Sequence, residues 1–266
     1  MPEILSSAFM QKALFVGIIV SLISGFVSAF VVLRKMSFIG AGISHAAFGG
    51  VAIGFFIGIN PTITAVIYSI AVALGIEFVS RKGKISEDAS IGIFFASSMA
   101  LGIVLISLSR EYTVDLFGYL FGNILAITKE EVLLSLFVAV LVIGCILLFL
   151  KEIFMTTYSE EIARASGISV RAINILFLLV LSISIVISMK IVGIILISAL
   201  LVIPGATAQL FAKNLYFMIA LSCGFAVIST ILGLVLSYEF DIAPGGSIVL
   251  TATAIFLAAL FFKKRR

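Results

Sequence analysis

The amino-acid sequence predicts an all-α, polytopic transmembrane bundle, and three observations carry that prediction. Hydrophobic residues make up 62% of the 266 and charged residues 11%, with a mean hydropathy of +1.34; an ordinary globular domain carries roughly 25% charged residues. Apolar runs of about 20 residues, the length that crosses a hydrocarbon core about 30 Å thick, recur along nearly the whole chain. Such runs are much longer than the roughly 10-residue alternating segments of an outer-membrane barrel, so helices are expected and strands are not.

The runs fall at 12–33, 39–58, 62–80, 89–109, 131–150, 172–189, 191–211, 214–237 and 246–262. They give nine spans, or eight if 172–189 and 191–211, separated only by Lys190, form one. No soluble domain of useful size remains, and no internal repeat or low-complexity segment is visible, so residues 1–266 are expected to form a single membrane domain.

The first run is followed, not preceded, by a basic pair, Arg34-Lys35, which suits a retained anchor better than a cleaved leader. The second carries small residues at every fourth position, Gly42, Ala46, Gly50, Gly54 and Gly58. That stripe allows close helix packing, either on a neighbouring helix or on a second protomer. His45, the only histidine, lies eleven residues after Arg34 and therefore about 16 Å up the helix, near mid-membrane. An ionisable group at that depth is costly and marks a functional position, with a structural hydrogen bond as the alternative.

In the third run, Glu77 has Arg81 one turn later, the spacing of an interfacial ion pair. Ser86 precedes Glu87 and Asp88, an N-cap followed by acidic residues at the positive end of the next helix. The stretch VDLFGYLFGNILAIT, punctuated by Gly118 and Gly122, reads as a re-entrant segment or an ordinary surface loop. Cys145 and Cys223 lie in separate runs with no metal-ligand spacing and are expected as free thiols.

The longest polar interruption is TYSEEIARASGISVR, 157–171. Ser159 is an N-cap, Glu160 and Glu161 complement the dipole, and Gly167 is a natural left-handed C-terminal residue, which together predict a two-turn helix over 160–166. Small Ala163 and Ala165, beside the charges of Glu160, Glu161 and Arg164, give it the surface of a docking element, with an amphipathic segment resting on the headgroups as the alternative. Farther on, Lys190 is expected to cap a tight outer hairpin. Pro204-Gly205 interrupts the seventh run by freeing the Leu200 carbonyl, as a hinge or a static kink. Glu239 and Asp241, beside APGGS, form an acidic loop before the last run.

The formal charge of +4 raises the question of nucleic acid, but in a membrane protein the placement of Lys and Arg matters more than their sum. With the N-terminus outside, 13 of the 17 basic residues fall inside and only Lys12, Arg110, Lys129 and Lys190 outside. An N-out, C-in topology is therefore expected, which puts 157–171 in the cytoplasm, and no nucleic-acid partner. The chain lacks G-x-x-x-x-G-K-[ST], HExxH and GxSxG, so any ATP hydrolysis would occur on another chain and an enzyme is not expected.

EEIARASG resembles the EAA-type coupling loop of ABC importer permeases, and VLRKMSFIGAGISHAAFGGVAIG, SEDASIGIFFASSMALGIVL, VDLFGYLFGNILA and VGIILISALLVIPGATA resemble the ABC-3 permeases of zinc and manganese importers. The resemblance covers about residues 8–262. It implies a homodimeric permease in the cytoplasmic (inner) membrane, two cytoplasmic ABC ATPases seated on the 160–166 helices and an extracytoplasmic metal-binding protein. Zinc, manganese or iron would be transported, with no permanently bound cofactor.

The resemblance also implies coupling contacts at Glu160, Glu161, Ala163, Arg164, Ala165 and Gly167, packing or gating at Gly50, Gly54, Gly58, Pro204 and Gly205, and an ion path at His45. Many members carry Asp four residues before this histidine; here it is Ala41, so the pair is incomplete and Asp88 and Glu77 are the candidate oxygen ligands. Two other readings stand beside it: an ion-coupled secondary transporter, which predicts paired intramembrane carboxylates or inverted repeats, and an ABC permease for a metal chelate.

Overall fold

The computed structural model describes residues 8–108, 122 and 127–263. Among them are twelve helices and no strand: α1 (Ala8–Leu33), α2 (Ile39–Ile57), α3 (Pro61–Gly83), α4 (Glu87–Leu108), α5 (Lys129–Leu148), α6 (Leu150–Tyr158), α7 (Glu160–Ala165), α8 (Val170–Val192), α9 (Ile194–Leu200), α10 (Ile203–Gln209), α11 (Leu215–Phe240) and α12 (Pro244–Phe262). Eight, namely α1–α5, α8, α11 and α12, are long and apolar enough to cross a membrane.

The ninth expected span, 191–211, is not one helix. α8 runs through Lys190 to Val192 and stops at Gly193, whose φ of +85° costs a residue without Cβ nothing. Two seven-residue helices follow, broken at Leu201–Val202. Pro204 occupies the first turn of α10, where its missing N–H is one of the helix's unpaired donors in any case, so the break falls just before it. Each short helix rises only about 10 Å. Lys190 is thus a residue of the last turn of α8, not a hairpin cap.

The chain divides into two compact units, one from the described residues of Met1–Ser37, Leu116–Ala139 and Ser188–Arg266, the other from those of Phe38–Asp115 and Val140–Ile187. In the second, α2 packs on both α3 and α4. A Cβ on Gly50 would sit 2.7 Å from Ala65 Cα, one on Gly54 2.7 Å from Pro61 Cα, and one on Gly42 2.5 Å from the Ile91 side chain. The small-residue stripe therefore serves helices of the same chain, as close backbone approach requires. Gly58 is the exception. At φ +71° it ends α2 in the left-handed conformation, and a Cβ there would meet nothing within 4 Å, so it is a cap and not a packing residue.

In the first unit, hydroxyls join the helices. Ser222 Oγ donates to Gly25 O at 2.6 Å, Ser21 Oγ and Thr230 Oγ1 lie 2.5 Å apart, and both pairs link α1 to α11. Ser247 Oγ donates to Gly233 O at 2.8 Å, linking α12 to α11. Short polar side chains of this kind satisfy themselves across helices where no water competes. Cys145 and Cys223 are free thiols, as expected.

Candidate coupling helix and ion-path residues

α7 is defined at both ends by its own residues. Ser159 leaves α6 in an extended conformation (φ −156°), and its Oγ accepts from Ile162 N at 3.3 Å. Glu160 and Glu161 occupy the first turn, where negative charge meets the exposed N–H groups. At the other end Gly167 N donates to Arg164 O and Ile168 N to Ala163 O, both at 3.0 Å, with Gly167 at φ +80°. That paired pattern is the Schellman termination, and it needs a residue that accepts the left-handed region.

Glu160 anchors this helix. Its carboxylate accepts from Arg81 Nη2 of α3 at 3.4 Å, Arg164 Nη2 at 2.9 Å and Asn174 Nδ2 of α8 at 3.3 Å. Arg81 also pairs with Glu77, the one-turn ion pair expected from the sequence. Three helices of one unit thus share a single polar cluster. Exposed ion pairs are worth only about 0–1 kcal/mol each, so the cluster orients α7 more than it stabilises the fold. The link from Glu160 to Arg81 crosses 79 positions and has no signature in local spacing.

Ala163 is fully buried within the chain, so the docking face expected of it belongs to its neighbours. Glu161, Ile162, Arg164, Ala165 and Gly167 are exposed, Ile162 by 52%. An exposed isoleucine on a capped, salt-linked helix is a suitable centre for a partner's groove.

His45 lies half-buried in α2, its ring edge-on to Phe95 with centroids 4.7 Å apart. Nδ1 is buried and has no hydrogen-bond partner. A buried polar atom left unpaired costs about 1–3 kcal/mol. No group of three His, Cys, Asp or Glu able to hold an ion occurs among the described residues. Asp88 is exposed in the first turn of α4, behind Ser86, whose Oγ accepts from Ala89 N at 3.2 Å. Glu77 is engaged by Arg81.

Around the broken segment, Gly205 N donates to Ser28 Oγ of α1 at 2.9 Å, and a Cβ on Gly205 would lie 2.5 Å from Ser28 O. α10 is thereby held close on α1. Lys190 Nζ pairs with Glu131 Oε1 of α5 at 3.2 Å, a partner that sequence spacing did not suggest. Of the expected re-entrant stretch 114–128, only Gly122, Ile127 and Thr128 are described; Gly122, at φ +71°, lies against the Val192–Gly193 backbone with no room for a Cβ.

The sequence profile of the ABC 3 transport family matches residues 6–263. The manganese transport system membrane protein MntC of Halalkalibacterium halodurans is 40% identical over 264 residues, covering 99% of this chain and 90% of that protein. The high-affinity zinc uptake system membrane protein ZnuB of Haemophilus influenzae is 36% identical over 201 residues, 76% of this chain and 77% of its own length. Among solved structures, PsaBC from Streptococcus pneumoniae in complex with Fab superposes with a TM-score of 0.87 at 38% identity, covering 99% of this chain and 95% of that one.

Proposed function

The chain belongs to the ABC 3 transport family, as a membrane permease of the manganese and zinc type, and from that premise we propose that it forms the translocation path of an ATP-driven importer for a divalent transition metal. The ion is cargo, and manganese, zinc and iron are the candidates. The chain acts as one permease domain in the cytoplasmic membrane, paired with a second copy. It faces N-out, C-in when α9 and α10 together complete a ninth crossing, the arrangement in which 13 of the 17 basic residues fall inside.

The observation that carries the coupling is α7. A separate ATPase seats on its exposed face, Glu161, Ile162, Arg164 and Ala165, and motion on ATP binding passes through Glu160 into α3 at Arg81 and α8 at Asn174. His45 is the residue on the ion path; neutral imidazole suits these metals, and a single protein ligand holds them briefly enough to release. An extracytoplasmic metal-binding protein delivers the cargo.

Co-expression with the ABC ATPase of the same transport system tests the reading. A detergent-stable complex whose ATP hydrolysis rises with metal-loaded binding protein is expected. Failure of the ATPase to associate under any condition that preserves the folded permease would overturn it. Stimulation by a metal chelate but not by free metal would redirect the cargo to the chelate.

A further inference from the structure

A cleft of about 610 Å³ opens between the end of α3 and the start of α8, lined by Leu74, Glu77, Phe78, Arg81, Lys82, Arg171 and Ile175. Its chemistry is graded along its length. Leu74, Phe78 and Lys82 succeed one another at four-residue spacing on α3, and Arg171 and Ile175 do so on α8; residues so spaced share a helix face. Both helices therefore set a cation at the helix end and an apolar side chain farther into the span. Leu74 lies about 12 Å below Lys82 at the helical rise per residue.

Lys82 and Arg171 have no ion-pair partner among the described residues, whereas Arg81 is already engaged by Glu77 and Glu160. Lys82 Nζ lies 5.3 Å from the centroid of Phe78, which is itself 58% exposed. Of the apolar walls Phe78 is exposed and Leu74 and Ile175 are half-buried, in two helices that each have the length and composition of a membrane span. We propose that this cleft seats an anionic phospholipid, its phosphate held by Lys82 and Arg171 and an acyl chain lying along Leu74, Phe78 and Ile175.

The shared chemistry is a phosphate anion, and two features select a lipid over a free ion. The volume is far larger than a phosphate needs, and the apolar wall begins directly below the cations, where a free anion gains nothing. Basic pockets between membrane helices at the cytoplasmic surface are suited to acidic headgroups. The inference rests on the membrane placement of α3 and α8 and on no assumption about the ion carried.

The permease with its ATPase is reconstituted in phosphatidylcholine nanodiscs containing a minor fraction of phosphatidylglycerol, and retained lipid is read by native mass spectrometry after gentle release. Phosphatidylglycerol retention should fall about fivefold for each cation removed, in K82Q and R171Q, and about 25-fold in the double variant. The swap K82R/R171K should keep it, and K213Q, on an exposed lysine that does not line the cleft, should leave it unchanged. Equal retention in the double variant and the wild type overturns the site. So does an equal loss in K213Q, and so does displacement by inorganic phosphate at the concentration that displaces glycerophosphoglycerol, which identifies a free-anion site. Metal uptake measured in the same particles separates failure of the lipid site from failure of the transport reading.

Discussion

Replacing Gly167 by valine tests the coupling helix where its geometry is most demanding. The residue sits at φ +80°, and a Cβ there would meet nothing within 4 Å, so steric crowding by neighbours contributes no cost. What remains is backbone strain, about 1–2 kcal/mol for an L-residue in the left-handed region and more for a β-branched one. That strain opposes the two 3.0 Å bonds from Gly167 N to Arg164 O and from Ile168 N to Ala163 O, which end α7. A strain of about 1–2 kcal/mol lowers the population of the intact terminus about 5–30-fold. The assay compares metal uptake with ATP hydrolysis in reconstituted complex, alongside thermal unfolding. G167V should hydrolyse ATP with much reduced uptake and an unfolding temperature close to wild type, because the strained residue lies outside the packed helices. G167N should recover most coupling, since asparagine tolerates the left-handed region. Wild-type uptake in G167V, or equal damage from asparagine and valine, would refute a backbone origin.

Three further outcomes follow from the same structure. E160A removes the acceptor shared by Arg81, Arg164 and Asn174; global stability should drop by about 1 kcal/mol or less, as for exposed pairs, while metal-stimulated ATPase activity falls severalfold, measured by phosphate release. H45A should reduce metal flux in vesicles without weakening ATPase association on a pull-down, and undiminished flux would return the residue to a structural role. G205A drives a Cβ to 2.5 Å from Ser28 O, a backbone atom that cannot swing aside, so it should destabilise the permease by about 1–3 kcal/mol and lower its melting temperature in detergent.

Local signals in the chain were sufficient wherever one segment specifies itself. Ser159, the two glutamates and Gly167 define α7 from within nine residues, and the structure places cap, turn and left-handed glycine where that pattern requires them. The stripe on α2 was equally plain, although its partners were not, and its last member, Gly58, terminates the helix. The seventh run shows the limit. Hydropathy averages over about 19 residues and cannot register one residue at positive φ, so Gly193 passed as part of a span and Lys190 as a boundary.

Composition and period by themselves determined a helical membrane protein, the positions of eight of its nine expected spans to within a few residues and the existence of a capped polar helix, because each depends on neighbours within one or two turns. Only the tertiary structure decided that Glu160 reaches Arg81 and Asn174, that Ala163 is buried, that Lys190 meets Glu131, and that His45 keeps an unpaired nitrogen. The reason is physical: a long polar side chain in an apolar fold takes whichever partner the packing brings within about 3 Å, and that partner is chosen by helix positions set far away in the chain.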